Sequence, residues 1–339
     1  MKRKSITFTA VGQVDIHESD LGSLADYDVL VANEFSAISA GTERACLLDL
    51  PNLADALPGQ FPKSLGYSGV GRVVEVGKEV KSVQSGDRVL TFWGSKHTNY
   101  NCVREENTVR IADDRLLSEH TVFAIIASFS LNGLRKTRLE IGESAAIVGL
   151  GILGLFAVAL SRIAGGVPVM ASDCNPARRQ KALDLGAHLA FDPAADDYIE
   201  QVRSAAPGGV DAVIEVTGQS VALRQALGFV ARFGRISLLG CTRVSDTAID
   251  FYQQVHRPGV EIVGAHALAR PMLESRPHAW TWQDDVQALF RFMADGRLDM
   301  RKILSAVYAP EDAPEVYRLL AEHHQDFPVG AVFDWRPLQ

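Results

Sequence analysis

The stretch Ala145-Ala-Ile-Val-Gly149-Leu-Gly151-Ile-Leu-Gly154-Leu-Phe-Ala-Val-Ala-Leu160 decides the fold of this chain. An apolar run ends in three glycines with the spacing G-x-G-x-x-G, and helical periodicity follows at once. A strand that turns sharply into a helix in this way presents backbone N–H groups to a pyrophosphate. We expect Gly149 to make the tight turn, Gly151 to let the phosphates approach, and Gly154 to let the helix pack on the sheet. The predicted phosphate-binding residues are Gly149, Gly151, Ile152, Leu153 and Gly154.

The run Val167-Pro-Val-Met-Ala-Ser-Asp173 follows and reads as a second strand that ends in an acid. A carboxylate nineteen residues after Gly154 can accept both ribose hydroxyls of an adenosine and would repel a 2′-phosphate. We therefore predict that the cofactor is NAD, preferred over NADP; the alternative is that Asp173 is an ordinary solvated loop residue. Arg178 either lies along the adenine face, pairs with Asp173, or is solvated on the helix surface beside Arg179.

The composition is that of an ordinary globular protein long enough for two cores. The 339 residues are 47% hydrophobic and 22% charged, with a formal net charge of −7. This charge favours neither nucleic acid nor an anionic membrane as a partner, and no window approaches eighteen uninterrupted apolar residues. Four widely separated cysteines without a C-x-x-C pair argue against a disulfide framework and a thiolate zinc site. We expect a cytoplasmic protein with a small-molecule substrate.

The pattern of predicted secondary structure changes twice along the chain. Residues 1–127 hold short β-like runs punctuated by Gly, Pro and Asp, which predicts a barrel-like β domain. Residues 128–264 alternate strand and helix, which predicts an α/β fold with a doubly wound parallel sheet. Residues 265–339 contain two amphipathic helices and should fold back onto the first domain. The candidate strands of the parallel sheet are residues 145–148, 167–172, 189–191, 211–216, 235–239 and 260–263.

These features, in this order, resemble the medium-chain dehydrogenase/reductase superfamily, the relatives of the zinc alcohol dehydrogenases. The resemblance covers nearly the whole chain and implies a GroES-like catalytic domain, a Rossmann domain and an active site in the cleft between them. It also implies an oligomer, for which we expect a homodimer joined through the last strand of the Rossmann sheet. Besides the glycine loop, the landmarks are Ile38-Ser-Ala-Gly-Thr-Glu43, Leu65-Gly-Tyr-Ser-Gly-Val-Gly71, Gly86-Asp-Arg-Val89, Glu215-Val-Thr-Gly218 and Gly234-Arg-Ile-Ser-Leu-Leu-Gly240.

The departures from the family's pattern concern its metal. Zinc-bearing members have Cys where this chain has Ala40, and His-Glu where it has Tyr67-Ser68. Methyl, phenol and hydroxyl groups do not supply the thiolate and imidazole that a catalytic zinc requires. The lobe of four closely spaced cysteines that holds a structural zinc is also missing from the sequence, so we predict that the protein binds no zinc. The alternative is a cryptic metal site built from His97, Glu43 and Cys102.

Without the metal, other groups must hold the developing alkoxide and move its proton. Thr42 stands where the family places the hydroxyl that touches the substrate oxygen and the nicotinamide ribose; otherwise it only forms a turn. Tyr67 takes the position of the lost imidazole and could donate a hydrogen bond to the oxygen that becomes negative, unless it is a packed barrel residue. His97 lies in a loop that should face the cofactor cleft as a general acid or base; otherwise it is surface or core filler. The predicted catalytic residues are thus Thr42, Tyr67 and His97.

Four further residues are expected at the cofactor. Thr217, Gly218 and Gly240 end strands at the carboxyl edge of the sheet, where glycine permits a close backbone approach. His266 comes just after the last Rossmann strand, where family members contact the nicotinamide end; otherwise it has no role at the cofactor.

Two charged features are ambiguous. Glu43 stands where zinc enzymes keep an acid behind the metal, and we expect it to pair with an arginine, Arg44 or one from the C-terminal segment. The segment 268–282, which contains Arg270, either binds an anionic group of the substrate or is a solvated surface loop.

Three functions follow from these residues. The first is an NAD-dependent, zinc-independent oxidoreductase of a secondary alcohol or ketone, similar to bacteriochlorophyllide hydroxyethyl dehydrogenase relatives and to sugar or cyclitol dehydrogenases. The second is a quinone or enoyl reductase that reduces C=C bonds, for which an NADPH preference would be usual. The third is a non-catalytic NAD-binding protein that kept the nucleotide fold and lost the metal.

Overall fold

A computed structural model describes residues 2–52 and 59–339 of the chain. These residues form two compact units, which we call the first unit (Met1–Ile125 with Phe290–Gln339) and the second unit (Ile126–Leu289). The segment 265–289, which the sequence analysis grouped with the C-terminal return, lies in the second unit. Residues 290–339 lie in the first unit.

Most strands of the described residues belong to the first unit, whereas those of the second unit alternate with helices. They are β1 (Lys2–Ala10), β2 (Gln13–Asp20), β3 (Asp28–Ala37), β4 (Gly69–Val76), β5 (Arg88–Thr91), β6 (Tyr100–Arg104), β7 (Thr108–Arg110), β8 (Ala145–Val148), β9 (Val169–Ser172), β10 (Leu189–Phe191), β11 (Val210–Glu215), β12 (Val230–Leu238), β13 (Glu261–Gly264), β14 (Leu304–Tyr308) and β15 (Gly330–Asp334).

The α-helices of the described residues cluster in the second unit. They are α1 (Ala40–Leu47), α2 (Ser118–Thr121), α3 (Ala124–Thr137), α4 (Ile152–Ile163), α5 (Pro176–Asp184), α6 (Tyr198–Ala205), α7 (Ser220–Phe229), α8 (Trp282–Ala294) and α9 (Ala313–Glu322). None of these helices combines the length and the apolar character needed to cross a membrane.

The second unit is built on a six-stranded sheet in the order β10-β9-β8-β11-β12-β13, and every neighbouring pair is parallel. The predicted doubly wound sheet is therefore confirmed. The inner strands β8, β9 and β11 are buried over nearly their whole length, as expected for the centre of a parallel sheet. The order of the strands reverses between β8 and β11, which is where open α/β sheets bind their ligands. The main difference from the prediction is β12, which begins five residues earlier, at Val230.

The first unit contains a two-stranded sheet (β1-β2) and a larger sheet in the order β14-β15-β3-β4-β5-β7, with β6 paired to β3. All pairs are antiparallel except β14 with β15. One apolar cluster joins β1, α1, α9 and β15 through buried aromatic rings, so the C-terminal residues complete this core. Its largest members are Phe8, Leu47, Tyr317, Phe333 and Trp335.

Candidate functional site

The glycine loop between β8 and α4 has the geometry that its spacing predicts. Gly149 has φ +94°, a conformation that favours glycine, and its N–H donates to the Ser172 carbonyl at 2.8 Å. A Cβ on Gly154 would lie 1.9 Å from the Gly149 carbonyl oxygen, whereas a Cβ on Gly151 would meet nothing within 4 Å. The loop is therefore closed on its helix side and open at Gly151, where a phosphate would need to approach.

Ile152 and Leu153 form the first turn of α4, directly after Gly151. The first N–H groups of a helix have no acceptor within the helix, and they carry the positive end of its dipole. The helix itself is almost completely buried and apolar, which fixes the direction of these N–H groups relative to the sheet. The first turn of α4 can therefore hold an anionic group of a dinucleotide through its backbone alone.

Asp173 follows the carboxyl end of β9 and lies beside the same loop. Its carboxylate accepts the N–H of Leu150 and the N–H of Asn175, both at 2.8 Å. The Arg178 guanidinium lies 4.0 Å from Asp173 Oδ2, at the limit of an ion pair, and both side chains are mostly buried. Two acceptor bonds therefore hold the carboxylate beside the glycine loop, at the carboxyl end of β9.

Thr217 and Gly218 are held in place by Glu215, the last residue of β11, for which the sequence predicts no role. The buried Glu215 carboxylate accepts the N–H of Thr217 at 2.7 Å, the N–H of Gly218 at 3.1 Å and the Thr217 hydroxyl. Burial raises the pKa of Glu215. The signal that could have found it is an acid that ends a buried strand two residues before a Thr-Gly turn.

Gly218 and Gly240 are glycines because two strand ends approach each other. A Cβ on Gly240 would lie 2.3 Å from the Gly218 nitrogen. Gly218 has φ +66°, and a Cβ there would lie 2.4 Å from the Cys241 carbonyl oxygen. The sequence predicts that both glycines permit the approach of a cofactor; in the structure, close contact between the two strand ends already requires glycine at each position.

His266 lies two residues after β13, and its side chain is exposed. Its Nδ1 accepts the N–H of Leu268 at 3.2 Å. Its carbonyl is 3.4 Å from the buried Asn132 amide nitrogen, which donates to it. The predicted cofactor-binding residues thus follow the carboxyl ends of β8, β9, β11, β12 and β13, at one edge of one sheet.

In the first unit, three hydroxyl groups meet at the start of α1. The Tyr67 hydroxyl donates to Ser39 Oγ, and the Thr42 hydroxyl is a second hydrogen-bond partner of Tyr67. Ser39 is the N-cap residue of α1 and is buried, whereas Thr42 is exposed. Burial is the main cause that raises the pKa of Tyr67 above its ordinary value, so the phenol stays protonated. We call Ser39, Thr42 and Tyr67 the hydroxyl cluster; Ser39 is a member that the sequence analysis missed.

The residues at the family's zinc positions do not fit a zinc ion. Ala40 offers a methyl group, and Tyr67 offers a phenol whose raised pKa disfavours the phenolate. The buried Ser68 hydroxyl donates to the Val122 carbonyl. Across residues 2–52 and 59–339, no group of three or more His, Cys, Asp and Glu side chains is arranged to hold a metal ion.

His97 and Glu43 differ from their expected surroundings. His97 is only 1% exposed, so its imidazole is enclosed by protein groups, and its predicted role as a general acid or base stays a prediction. Its Nε2 is 3.1 Å from Glu43 Oε1, so Glu43 contacts a histidine where an arginine was expected. Arg44 Nε donates instead to the Ala321 carbonyl at 3.4 Å. The reason is that His97 packs against β1, β3 and β15: its carbonyl accepts the Ile6 N–H at 3.0 Å, Nδ1 contacts Ser36, and its ring meets Phe333 edge-on. A carboxylate buried at this place needs a donor that is itself buried.

The structure also bears on two alternatives left open by the sequence, the cryptic metal site and the segment 268–282. The cryptic metal site is not assembled, because the Cys102 thiol donates to Asp28 at 3.6 Å while His97 and Glu43 contact each other. In the segment 268–282, Arg270 is buried; it contacts Asp285 at 3.5 Å and donates to the Ser128 carbonyl at 2.9 Å. Arg270 therefore anchors this segment to the second unit and is not solvated.

Two family models match this chain. The alcohol dehydrogenase GroES-like domain matches residues 26–131, which include the hydroxyl cluster and His97. The zinc-binding dehydrogenase model matches residues 153–285, which begin after the zinc positions discussed above. The two matches together cover most of both units.

Individual relatives are dehydrogenases of alcohols and sugar derivatives. The (R,R)-butanediol dehydrogenase of Bacillus subtilis (strain 168) is 30% identical over 49% of this chain and 55% of its own length, so the match spans about half of that relative. The D-guloside 3-dehydrogenase of Escherichia coli (strain K12) is 25% identical over 84% of this chain and 82% of its own length. The crystal structure of 2R,3R-butanediol dehydrogenase from Bacillus subtilis has the same fold, with a TM-score of 0.82, 22% identity, and coverage of 98% of this chain and 99% of that one.

The glycine loop, the strand order, the two matching models and the full-length fold similarity agree with one another. The chain belongs to the zinc-type medium-chain dehydrogenase/reductase superfamily, with a GroES-like unit and a Rossmann unit.

Proposed function

We propose that this protein is a zinc-independent, NAD-dependent oxidoreductase that transfers hydride between NAD and a secondary alcohol or ketone. The observation that carries the proposal is the hydroxyl cluster: Tyr67, at the position of the imidazole in zinc-bearing relatives, is hydrogen-bonded to Ser39 and Thr42. The names of two relatives refer to a butanediol and a guloside, which supports a polyol, sugar or cyclitol as the substrate.

In this proposal Tyr67 replaces the metal as the group that stabilises negative charge on the substrate oxygen. Its phenol is protonated, so it can donate a hydrogen bond to the substrate oxygen as negative charge develops there. Thr42 is exposed and hydrogen-bonded to Tyr67, so it offers a route for the proton between the phenol and solvent. Ser39 accepts from Tyr67 and keeps the phenol directed at this position.

The glycine loop, the first turn of α4 and Asp173 are the residues that would hold the dinucleotide. When bound, NAD supplies the hydride acceptor of the reaction. Gly151 is open to an approaching phosphate, and the Asp173 carboxylate would accept ribose hydroxyls and disfavour a 2′-phosphate. Thr217, Gly218, Gly240 and His266 would complete this edge of the sheet.

We also propose a cytoplasmic homodimer. The outer strand β13 has one paired edge in the described residues, and an open strand edge can pair with a second copy. The four cysteines all lie within the described residues and none forms a disulfide, which agrees with a reducing compartment. Light scattering during size-exclusion chromatography would test the dimer, for which a single peak at twice 36.8 kDa is expected.

The test of the function combines turnover with metal analysis on one preparation. We expect NADH formation with members of a panel of diols, sugar alcohols, cyclitols and sugar phosphates. We also expect less than about 0.1 zinc ion per chain by elemental analysis, and full activity after EDTA treatment and dialysis. Tight NADH binding without turnover of any alcohol or ketone would contradict the reaction. A stoichiometric zinc whose removal abolishes turnover would contradict the metal-free chemistry.

A further inference from the structure

A buried carboxylate lies directly beneath the hydroxyl cluster. Glu43 is 1% exposed and accepts the Ser39 N–H at 2.8 Å and the Tyr317 hydroxyl at 2.7 Å. Its third contact is His97 Nε2 at 3.1 Å. A charge buried this deeply is tolerated only where donors surround it, so these contacts hold the carboxylate in place.

The hydrogen-bond partners of the ring favour one tautomer of His97. The Glu43 carboxylate already accepts the Ser39 N–H and the Tyr317 hydroxyl, so the tautomer that fits the remaining contact carries its proton on His97 Nε2 and donates to Glu43. On the other side of the ring, the Ser36 hydroxyl lies 2.7 Å from His97 Nδ1, to which it can donate, and Ser36 Oγ accepts the indole N–H of Trp335 at 2.8 Å. Both nitrogens of the imidazole therefore have hydrogen-bond partners within the protein, which fix the orientation of the ring.

Two links run from His97 to the hydroxyl cluster. The first passes through Glu43, because its bond to the Ser39 N–H fixes the first turn of α1, which carries Ser39 and Thr42. The second passes through the backbone: the His97 N–H donates to the Leu65 carbonyl at 2.8 Å, and a Cβ on Gly66 would lie 2.5 Å from the His97 nitrogen. Gly66 immediately precedes Tyr67, so His97 supports both sides of the cluster.

We propose that His97 is a positioning residue, which acts through Glu43 to set the geometry of Tyr67, Ser39 and Thr42 and so replaces the metal as the fixed point of the site. This inference rests on the proposed function for its catalytic consequence. Its structural part, the control of Tyr67 by His97, can be measured without any substrate.

The test uses two substitutions that each keep one half of the imidazole. The amide nitrogen of His97→Gln replaces Nε2 and can still donate to Glu43, whereas that of His97→Asn replaces Nδ1 and reaches only toward Ser36. The chain has seven tyrosines, so labelling each tyrosine with ¹³C at Cζ gives few NMR resonances, and Tyr67→Phe identifies that of Tyr67. We expect His97→Gln to leave the Tyr67 resonance at its wild-type position and His97→Asn to shift it.

Turnover and cofactor affinity provide the second readout. With the fastest alcohol of the panel, we expect kcat to fall about 10- to 100-fold in His97→Asn and to stay within about threefold in His97→Gln. The NADH dissociation constant should not change, because the glycine loop belongs to the second unit. The matched control is His17→Asn, at an exposed position on β2, which should change none of these quantities.

A purely structural histidine would give a different pattern. Equal shifts of the Tyr67 resonance in His97→Gln and His97→Asn, or no shift in either, would overturn the inference whatever the substrate is. Should His97→Asn fail to fold, Tyr317→Phe removes a single oxygen from the contacts of Glu43 and keeps the ring. A Tyr67 resonance that does not move in Tyr317→Phe would likewise overturn it.

Discussion

Gly154 lies directly against the Gly149 carbonyl, so close that a Cβ at position 154 would be 1.9 Å from that oxygen. The two glycines are joined by a turn in which Gly151 faces open space. Packing and ligand approach therefore depend on different glycines of the same motif, and the two roles can be separated by substitution.

Alanine at position 154 should mainly lower the stability of the fold, whereas alanine at position 151 should mainly weaken NADH binding. Gly154→Ala should lower the free energy of unfolding by about 1–3 kcal/mol, because α4 must move away from the turn. Gly151→Ala should change the free energy of unfolding by less than about 0.5 kcal/mol, since its φ of −66° and ψ of −175° suit alanine. It should nevertheless weaken NADH binding about tenfold or more, as measured by fluorescence titration. A Gly151→Ala protein that binds NADH normally would contradict the role of this residue at the phosphates.

The Asp173 carboxylate should determine which dinucleotide is preferred. Wild-type protein should bind NADH more tightly than NADPH, and Asp173→Asn should reduce the ratio of the two affinities about tenfold, since it removes the charge that repels a 2′-phosphate. Competitive titration of bound-cofactor fluorescence would measure both affinities. Asp192→Asn is the control, because Asp192 pairs with Arg179 at 3.1 Å near the same edge of the sheet. A wild-type preference for NADPH would contradict the prediction and would favour the C=C reductase alternative.

Asp285 should be essential for the stability of the second unit. It is fully buried and contacts Arg135 at 2.8 Å and Arg270 at 3.5 Å, so its loss leaves two guanidinium groups without this counter-charge. We expect Asp285→Ala to lower the free energy of unfolding by about 3–5 kcal/mol in chemical denaturation. The exposed pair of Asp295 with Arg297 provides the control, and Asp295→Ala should leave Tm almost unchanged. If both substitutions lowered stability equally, the prediction that the buried ion pair contributes more than the exposed one would be wrong.

Local sequence patterns predicted the second unit well. β8 and β10 have the predicted limits, and the glycines of the loop have the conformations that their spacing requires. Such features depend on residues close together in the chain. The partners of Glu43 do not: Tyr317 is 274 residues away, and the burial of His97 depends on how its loop packs against β3 and β15. Ser39 was missed for a similar reason, because its role comes from a tyrosine 28 residues later.

Tyr67 carries the last prediction, which concerns turnover and its dependence on pH. Tyr67→Phe removes the donor to the developing alkoxide, so kcat should fall about 100-fold or more, while the NADH dissociation constant stays the same. Thr42→Val should lower kcat less, by about tenfold, since the phenol remains and only its route to solvent is lost. Val221→Thr, on the exposed face of α7, is a control that changes a hydroxyl elsewhere.

The pH profile distinguishes a protonated phenol from an ionised one. Burial raises the pKa of Tyr67 above its ordinary value of 10, so the donor stays protonated through pH 10 and is lost only above that. Ketone reduction by the wild type should therefore show no decline attributable to this group between pH 7 and about 10. A fall in kcat with a midpoint near pH 7 to 8 that vanishes in Tyr67→Phe would mean that the phenol ionises easily. In that case Tyr67 would act as a base, and the hydroxyl cluster would have to work by removing the alcohol's proton rather than by holding the oxygen.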